Sequence, residues 1–189
     1  MPNLKFVSLV ILELLPFNAQ KCKRSRDPGH DPVIFVVDES GGVGSSNFEL
    51  VKSFLSQLIV RLDIDNGNTR VGLVKYSDDV DTAQAFNLSA HSTVAAVQSA
   101  ISALRYNGGY MNTHLALRYV RTTMLTTAAG DRPDVRNVVV VLTDGVLSHP
   151  SATKVCTMRK LVRGSSFRVE LAFSSKCLLY KTLHIYRGI

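Results

Sequence analysis

No apolar run in this chain is long enough to cross a membrane. The leading one, Phe6 to Leu12, stops near Glu13, far short of the roughly 20 residues a spanning helix needs. Cysteine is scarce: Cys22, Cys156 and Cys177 form no CxxC pair, which excludes a paired-cysteine zinc site and a disulfide-dense scaffold. If the chain is secreted, the odd count leaves one thiol for an intermolecular bond or for nothing, and the pairing itself is not readable. There is no G-x-y repeat, so no collagen triple helix. There is no nucleic-acid motif either. The loop Gly42-Val-Gly44-Ser-Ser-Asn47 lacks the last glycine of G-x-G-x-x-G, and no G-x-x-x-x-G-K-[ST] follows, which argues against nucleotide binding. A G-x-S-x-G elbow is missing as well. The histidines at 30, 91, 114, 149 and 184 do not cluster in sequence, so an enzyme has little to stand on.

Acidic residues are nearly missing from the two ends. Between Asp27 and Thr153 there are 9 Lys/Arg and 13 Asp/Glu, whereas Lys154 to Ile189 holds 8 basic residues and the single Glu170. The first 26 residues add 5 basic residues and Glu13. A mildly acidic core therefore lies between basic ends, and those ends read as solvated termini more readily than as a polyanion-binding patch. With 189 residues, 46% hydrophobic and 20% charged, the chain has the length and composition of one globular domain.

Lys5, the apolar run after it and Asn18-Ala19-Gln20 have the shape of a secretory signal over residues 1–20. An N-terminal helix on the domain is the alternative. Residues 21–30 read as a basic linker.

Asp31-Pro-Val-Ile-Phe-Val-Val-Asp38 opens the domain. Its apolar, β-branched run without alternation suits a strand covered on both faces. A loop with Ser40 and three glycines follows. Ser46-Asn-Phe-Glu49 has capping-box spacing and is expected to start a helix, with Phe48, Val51, Leu55, Leu58, Ile59 and Leu62 on one face. After the turn cluster Asp63–Thr69, Arg70–Tyr76 reads as a strand and Thr82–Leu88 as a short edge strand, antiparallel to its neighbour. Helices are expected at about Thr93–Leu104 and His114–Leu125, separated by a glycine-bearing loop. Asn137-Val-Val-Val-Val-Leu-Thr-Asp144-Gly145 is a second apolar strand ending on aspartate, and Ser165–Phe173 a weaker fifth. The alternation predicts an α/β domain with a doubly wound, mostly parallel sheet flanked by helices. Asp38 and Asp144 are then delivered to one carboxyl edge, where such sheets bind ligands.

Asp38-Glu-Ser-Gly-Gly, Arg70-Val-Gly-Leu-Val-Lys-Tyr-Ser, Ala103-Leu-Arg-Tyr-Asn-Gly-Gly, Asn112-Thr-His-Leu-Ala-Leu and Val140-Val-Leu-Thr-Asp-Gly together resemble a von Willebrand factor type A domain. They are most similar to the A modules of collagen VI chains and related matrix proteins. The resemblance implies a metal-ion-dependent adhesion site holding Mg²⁺, with Asp38, Ser40 and Asp144 as metal residues. Two positions depart from the pattern: Gly42 stands where the second serine is expected, and Met111 where the ligand threonine is. Glycine supplies no side-chain oxygen, and a thioether is a poor ligand for a hard ion. Asp38 and Asp144 are therefore expected mainly to bond loop N–H groups, with Met111 filling a gap and Mg²⁺ weakly held or absent.

Asn87-Leu-Ser89 is an N-glycosylation sequon. The A domain is expected over residues 31–173. The family's later helices and last strand have no counterpart here, so its C-terminal part reads as incomplete and the isolated chain as aggregation-prone. Residues 174–189 form a basic tail that finds no place in the fold. The resemblance implies a secreted, non-enzymatic protein that binds matrix proteins such as collagens in adhesion or matrix assembly. A truncated relative without activity, or an intracellular assembly scaffold, is the alternative.

Overall fold

Three apolar, β-branched segments lie side by side at the centre of the computed structural model, which describes residues 31–133, 135, 137–143 and the backbone of 167–173. The expected signal, linker and tail, the three cysteines and Asp144 lie outside the described residues. β1 (Val33–Asp38), β2 (Val71–Tyr76) and β4 (Asn137–Thr143) are buried along their whole length. Continuous burial is what a strand covered on both faces requires, and it explains why none of the three alternates in sequence.

The sheet has five strands in the order β3-β2-β1-β4-β5, where β3 is Val80–Phe86 and β5 is Phe167–Phe173. β1 pairs in parallel with β2 on one side and β4 on the other, and β5 pairs in parallel with β4. Only β3 runs antiparallel, against β2, with a register irregularity between Leu73 and Lys75. The chain moves outward from β1 to β2 and β3, then crosses back to β4 on the other side of β1, so the carboxyl end of β1 is the switch point of the sheet.

Helices cover both faces. α1 (Gly44–Ile59) and α2 (Val94–Ser102) pack Phe48, Leu55, Ile59, Val97 and Ile101 against Val33, Phe35, Val37 and Leu73. On the other face α3 (Thr113–Tyr119) and the π-helical turn after it, Val120–Met124, set Leu117, Val120 and Met124 against Ile34, Val36, Val74 and Val141. At about 25 cal/mol per Å² of apolar surface removed from water, these two layers are the main source of the fold's stability.

Three expectations need correction. The capping box is not used: α1 begins at Gly44, two residues before Ser46, and its N-cap Val43 makes no side-chain cap. The Val43 and Gly44 N–H groups already bond the Ser40 carbonyl, so the loop winds into the helix before Ser46 is reached. Glu49 pairs instead with Lys52. The third helix is not uniform either, since it widens into a π-turn from Val120 onward. α2 does begin where expected, with Thr93 Oγ1 accepting the Ala96 N–H. Its helical hydrogen bonding, however, ends at Ser102 rather than Leu104.

Candidate functional site

Asp38 is the last residue of β1 and is almost fully buried. Register sets its surroundings: Asp38 stands opposite Tyr76 of β2, and β4 runs alongside to Thr143. The Thr143 hydroxyl donates to Asp38 Oδ2 at 2.8 Å, and the Ser40 N–H donates to Oδ1 at 2.9 Å. Both carboxylate oxygens thus accept bonds from the protein, the strong arrangement for a buried charge.

The loop between α2 and α3 folds over this edge and is tied down along its length. The Tyr106 hydroxyl donates to the Ser40 carbonyl (3.2 Å) and the Gly41 N–H to the Gly109 carbonyl (2.8 Å). The Tyr110 N–H donates to Asp78 Oδ1 (3.0 Å), and the Asn112 side chain donates to the Asp78 carbonyl. Gly109 has a φ of 109°, and a Cβ there would lie 2.6 Å from Asp78 Oδ2. Only glycine fits that conformation and that contact.

The expected metal positions can now be tested against a cation that demands near-octahedral oxygen coordination. Ser40 Oγ is buried and has no hydrogen-bond partner among the described residues, so it is one available oxygen. Gly42 offers none. Met111 brings sulfur, 3.6 Å from the Thr143 hydroxyl, and packs against the α3-side core. Thr113 is committed to the Tyr76 hydroxyl at 3.0 Å. Among the described residues no three His, Cys, Asp or Glu side chains group to hold a metal, and Asp144 lies outside those residues. Of the described positions, Gly42 and Met111 bring no side-chain oxygen to a hard cation.

Beside Asp38 the structure holds a charged cluster that sequence reasoning missed. Lys75 of β2 is wholly buried, with its Nζ 2.6 Å from Glu39 Oε2 and 2.7 Å from Asp81 Oδ2. Glu39 Oε2 also accepts the Asn107 N–H, so the cluster ties the loop to three strands. Burial raises the pKa of Asp81, but its hydrogen bond and charge attraction to Lys75, with the Gln84 and Ala83 N–H groups, outweigh this. The carboxyl is held below its ordinary value. The available signal was a lysine inside an otherwise buried strand, which requires a partner.

The family model of the von Willebrand factor type A domain matches residues 33–167. Collagen alpha-1(XX) chain of Homo sapiens is 41% identical over 113 residues, 60% of this chain and 9% of that one. Matrilin-1 of Bos taurus is 42% identical over 116 residues, again 60% of this chain and 21% of that one. Collagen alpha-4(VI) chain of Mus musculus is 38% identical over 115 residues, 60% of this chain and 5% of that one. The matched region thus spans under a quarter of each of these relatives. Among solved structures, proximal thread matrix protein 1 from the mussel byssus, with a zinc-occupied MIDAS motif, superposes with a TM-score of 0.64. The identity is 22%, with 74% of this chain and 37% of that one covered, a likeness of fold. The chain belongs to the von Willebrand factor type A domain family.

Proposed function

We propose that this is a secreted extracellular-matrix protein whose A domain, residues 31–173, binds other matrix proteins in adhesion or assembly, without catalysis and without a resident Mg²⁺. The observation that carries this reading is the identity of the relatives, collagen chains and a matrilin that share the domain. At the carboxyl edge the loop after β1 and the loop between α2 and α3 are tied to each other, an ordered surface that supports this reading. The metal position is degraded: Asp38 and Ser40 remain with Asp144, while Gly42 and Met111 replace two oxygen ligands. No helix among the described residues is long and apolar enough to cross a membrane.

Two further features belong to the same reading. Residues 1–20 act as a signal. Asn87, partly exposed at the end of β3 with Ser89 exposed beside it, carries a glycan.

The test is capture from a matrix extract on the immobilised full chain, with and without EDTA. Collagens or matrilin-type proteins should be retained equally in both arms. Retention of nothing beyond a blank surface sinks the adhesive reading, and loss of capture in EDTA sinks its metal-free part. Mass spectrometry of the protein secreted from cultured cells checks the mature N-terminus and the Asn87 glycan together.

A further inference from the structure

Asparagine is among the chemically labile side chains. A glycine after it leaves the side-chain amide open to attack, because no Cβ shields the next backbone nitrogen. Only Asn66 and Asn107 precede a glycine in this chain. Both asparagines are exposed, and Gly67 and Gly108 share a φ of 74°, so local sequence and backbone do not separate the two pairs. We infer that the fold selects Asn107 as a site of spontaneous deamidation, and that the product adds a carboxylate to the Lys75 cluster. Neither step depends on what the domain binds.

Hydrogen bonding separates the two pairs. At Asn66 the Nδ2 that must leave donates to Asp63 Oδ1 at 2.6 Å, and the Gly67 nitrogen that must attack has its N–H committed to the Ile64 carbonyl at 2.8 Å. At Asn107 the Nδ2 makes one long contact, 3.4 Å to Asp81 Oδ2. The Gly108 N–H has no hydrogen-bond partner among the described residues. Nucleophile and leaving group are thus both held at Asn66 and both loose at Asn107.

The chemistry needs no co-reactant but water. The Gly108 nitrogen attacks Cγ of Asn107, the Cγ–Nδ2 bond breaks, and ammonia leaves with the proton given up by the Gly108 nitrogen. Water then opens the cyclic imide at either carbonyl, giving aspartate or isoaspartate. Aspartate puts a carboxylate oxygen where an amide N–H met Asp81, while isoaspartate lengthens the backbone by one carbon before Gly108. Lys75 already serves Glu39 and Asp81 at 2.6 and 2.7 Å, so a third carboxylate is uncompensated and repels both. Glu39 Oε2 also accepts the Asn107 N–H at 3.1 Å. The repulsion therefore falls on a bond that anchors the loop between α2 and α3.

The test is ageing of the full chain in mildly alkaline buffer, followed by peptide mapping with mass spectrometry and enzymatic labelling of isoaspartate. In the folded chain Asn107 should convert about fivefold faster than Asn66, the factor that one net hydrogen bond represents. In concentrated urea, where both pairs lose their bonds, the two rates should converge. Asn107→Asp installs the product and should lower the protection of the backbone amide at position 107 against deuterium exchange about fivefold. Asn66→Asp should leave that protection unchanged, and circular dichroism like that of the native chain shows that both variants fold. Equal rates in the folded chain, faster loss at Asn66, or a rate ratio that survives in urea overturns the selection of Asn107. Protection unaltered in Asn107→Asp overturns the consequence for the loop.

Discussion

Lys75 occupies a position where a strand buried on both faces would ordinarily carry an apolar side chain, and it is tolerated only because two carboxylates meet it. Isolated burial of an ammonium is prohibitive, whereas a paired and hydrogen-bonded one persists. Lys75→Ala should therefore cost about 3–5 kcal/mol in urea unfolding, because it leaves Glu39 and Asp81 uncompensated. Replacing Lys75, Glu39 and Asp81 together by Met, Gln and Asn should recover most of that loss. Asp81 adds a pH dependence with a definite sign. Its folded pKa lies below the ordinary 3.8, so its contribution is complete above the unfolded value and disappears as pH falls through the folded one. Unfolding midpoints measured between pH 6 and 3 should fall less steeply for Asp81→Asn than for the native chain, and parallel curves would contradict the pairing.

At the scale of elements, the loop between α2 and α3 holds two glycines at positive φ, Gly108 and Gly109, and only at Gly109 would a Cβ strike a neighbour. Gly109→Ala forces an L residue into a left-handed conformation and drives its Cβ into the Asp78 carboxylate. A cost of about 1–3 kcal/mol is expected, together with shifted amide signals at Gly41 and Tyr110 in NMR spectra, the two groups bonded to this segment. A loss in stability without those shifts would place the damage elsewhere. The same element shows where sequence reading succeeds and where it stops. β1 and β4 were legible because a parallel strand buried on both faces must be a continuous apolar run, and Val33–Val37 and Val138–Leu142 are such runs, whereas β2 was read as a strand despite Lys75. The helical face of α1 followed from period, although Phe54, also buried, escaped the stripe. The capping box at Ser46 was misread, since its spacing is local while the helix start was set by the turn at Ser40. Nothing in the sequence could announce that Lys75, Glu39 and Asp81 converge. They belong to three different segments, and only strand order and register bring them together. Asp38 and Ser40 were legible as residues of the sheet's carboxyl edge, since a polar loop after a buried strand marks that edge. Asp78 and Tyr110 lie in loops whose positions depend on tertiary bonds.

For the whole molecule, metal binding is a question of linkage. A ligand that binds only the folded chain stabilises it by an amount set by its concentration relative to its dissociation constant, about 2.7 kcal/mol at a hundredfold excess. The native chain lacks oxygen ligands at Gly42 and Met111, so 10 mM Mg²⁺ (an order-of-magnitude working excess) should leave its thermal unfolding midpoint where EDTA leaves it. The double substitution Gly42→Ser with Met111→Thr restores a hydroxyl at each position beside Asp38 and Ser40. That places hard oxygen donors where Mg²⁺ chemistry requires them. The double variant should gain several degrees in Mg²⁺ and lose them in EDTA, with heat of binding visible by calorimetry. Each single variant should gain less than half of that, because an octahedral ion tolerates neither remaining gap well. If the double variant shows no difference between the two buffers, the correspondence of these positions with metal ligands is wrong. If the native chain already shows the full difference, the ion binds through the water and carboxylate that remain, and contact with the partner runs through a cation after all.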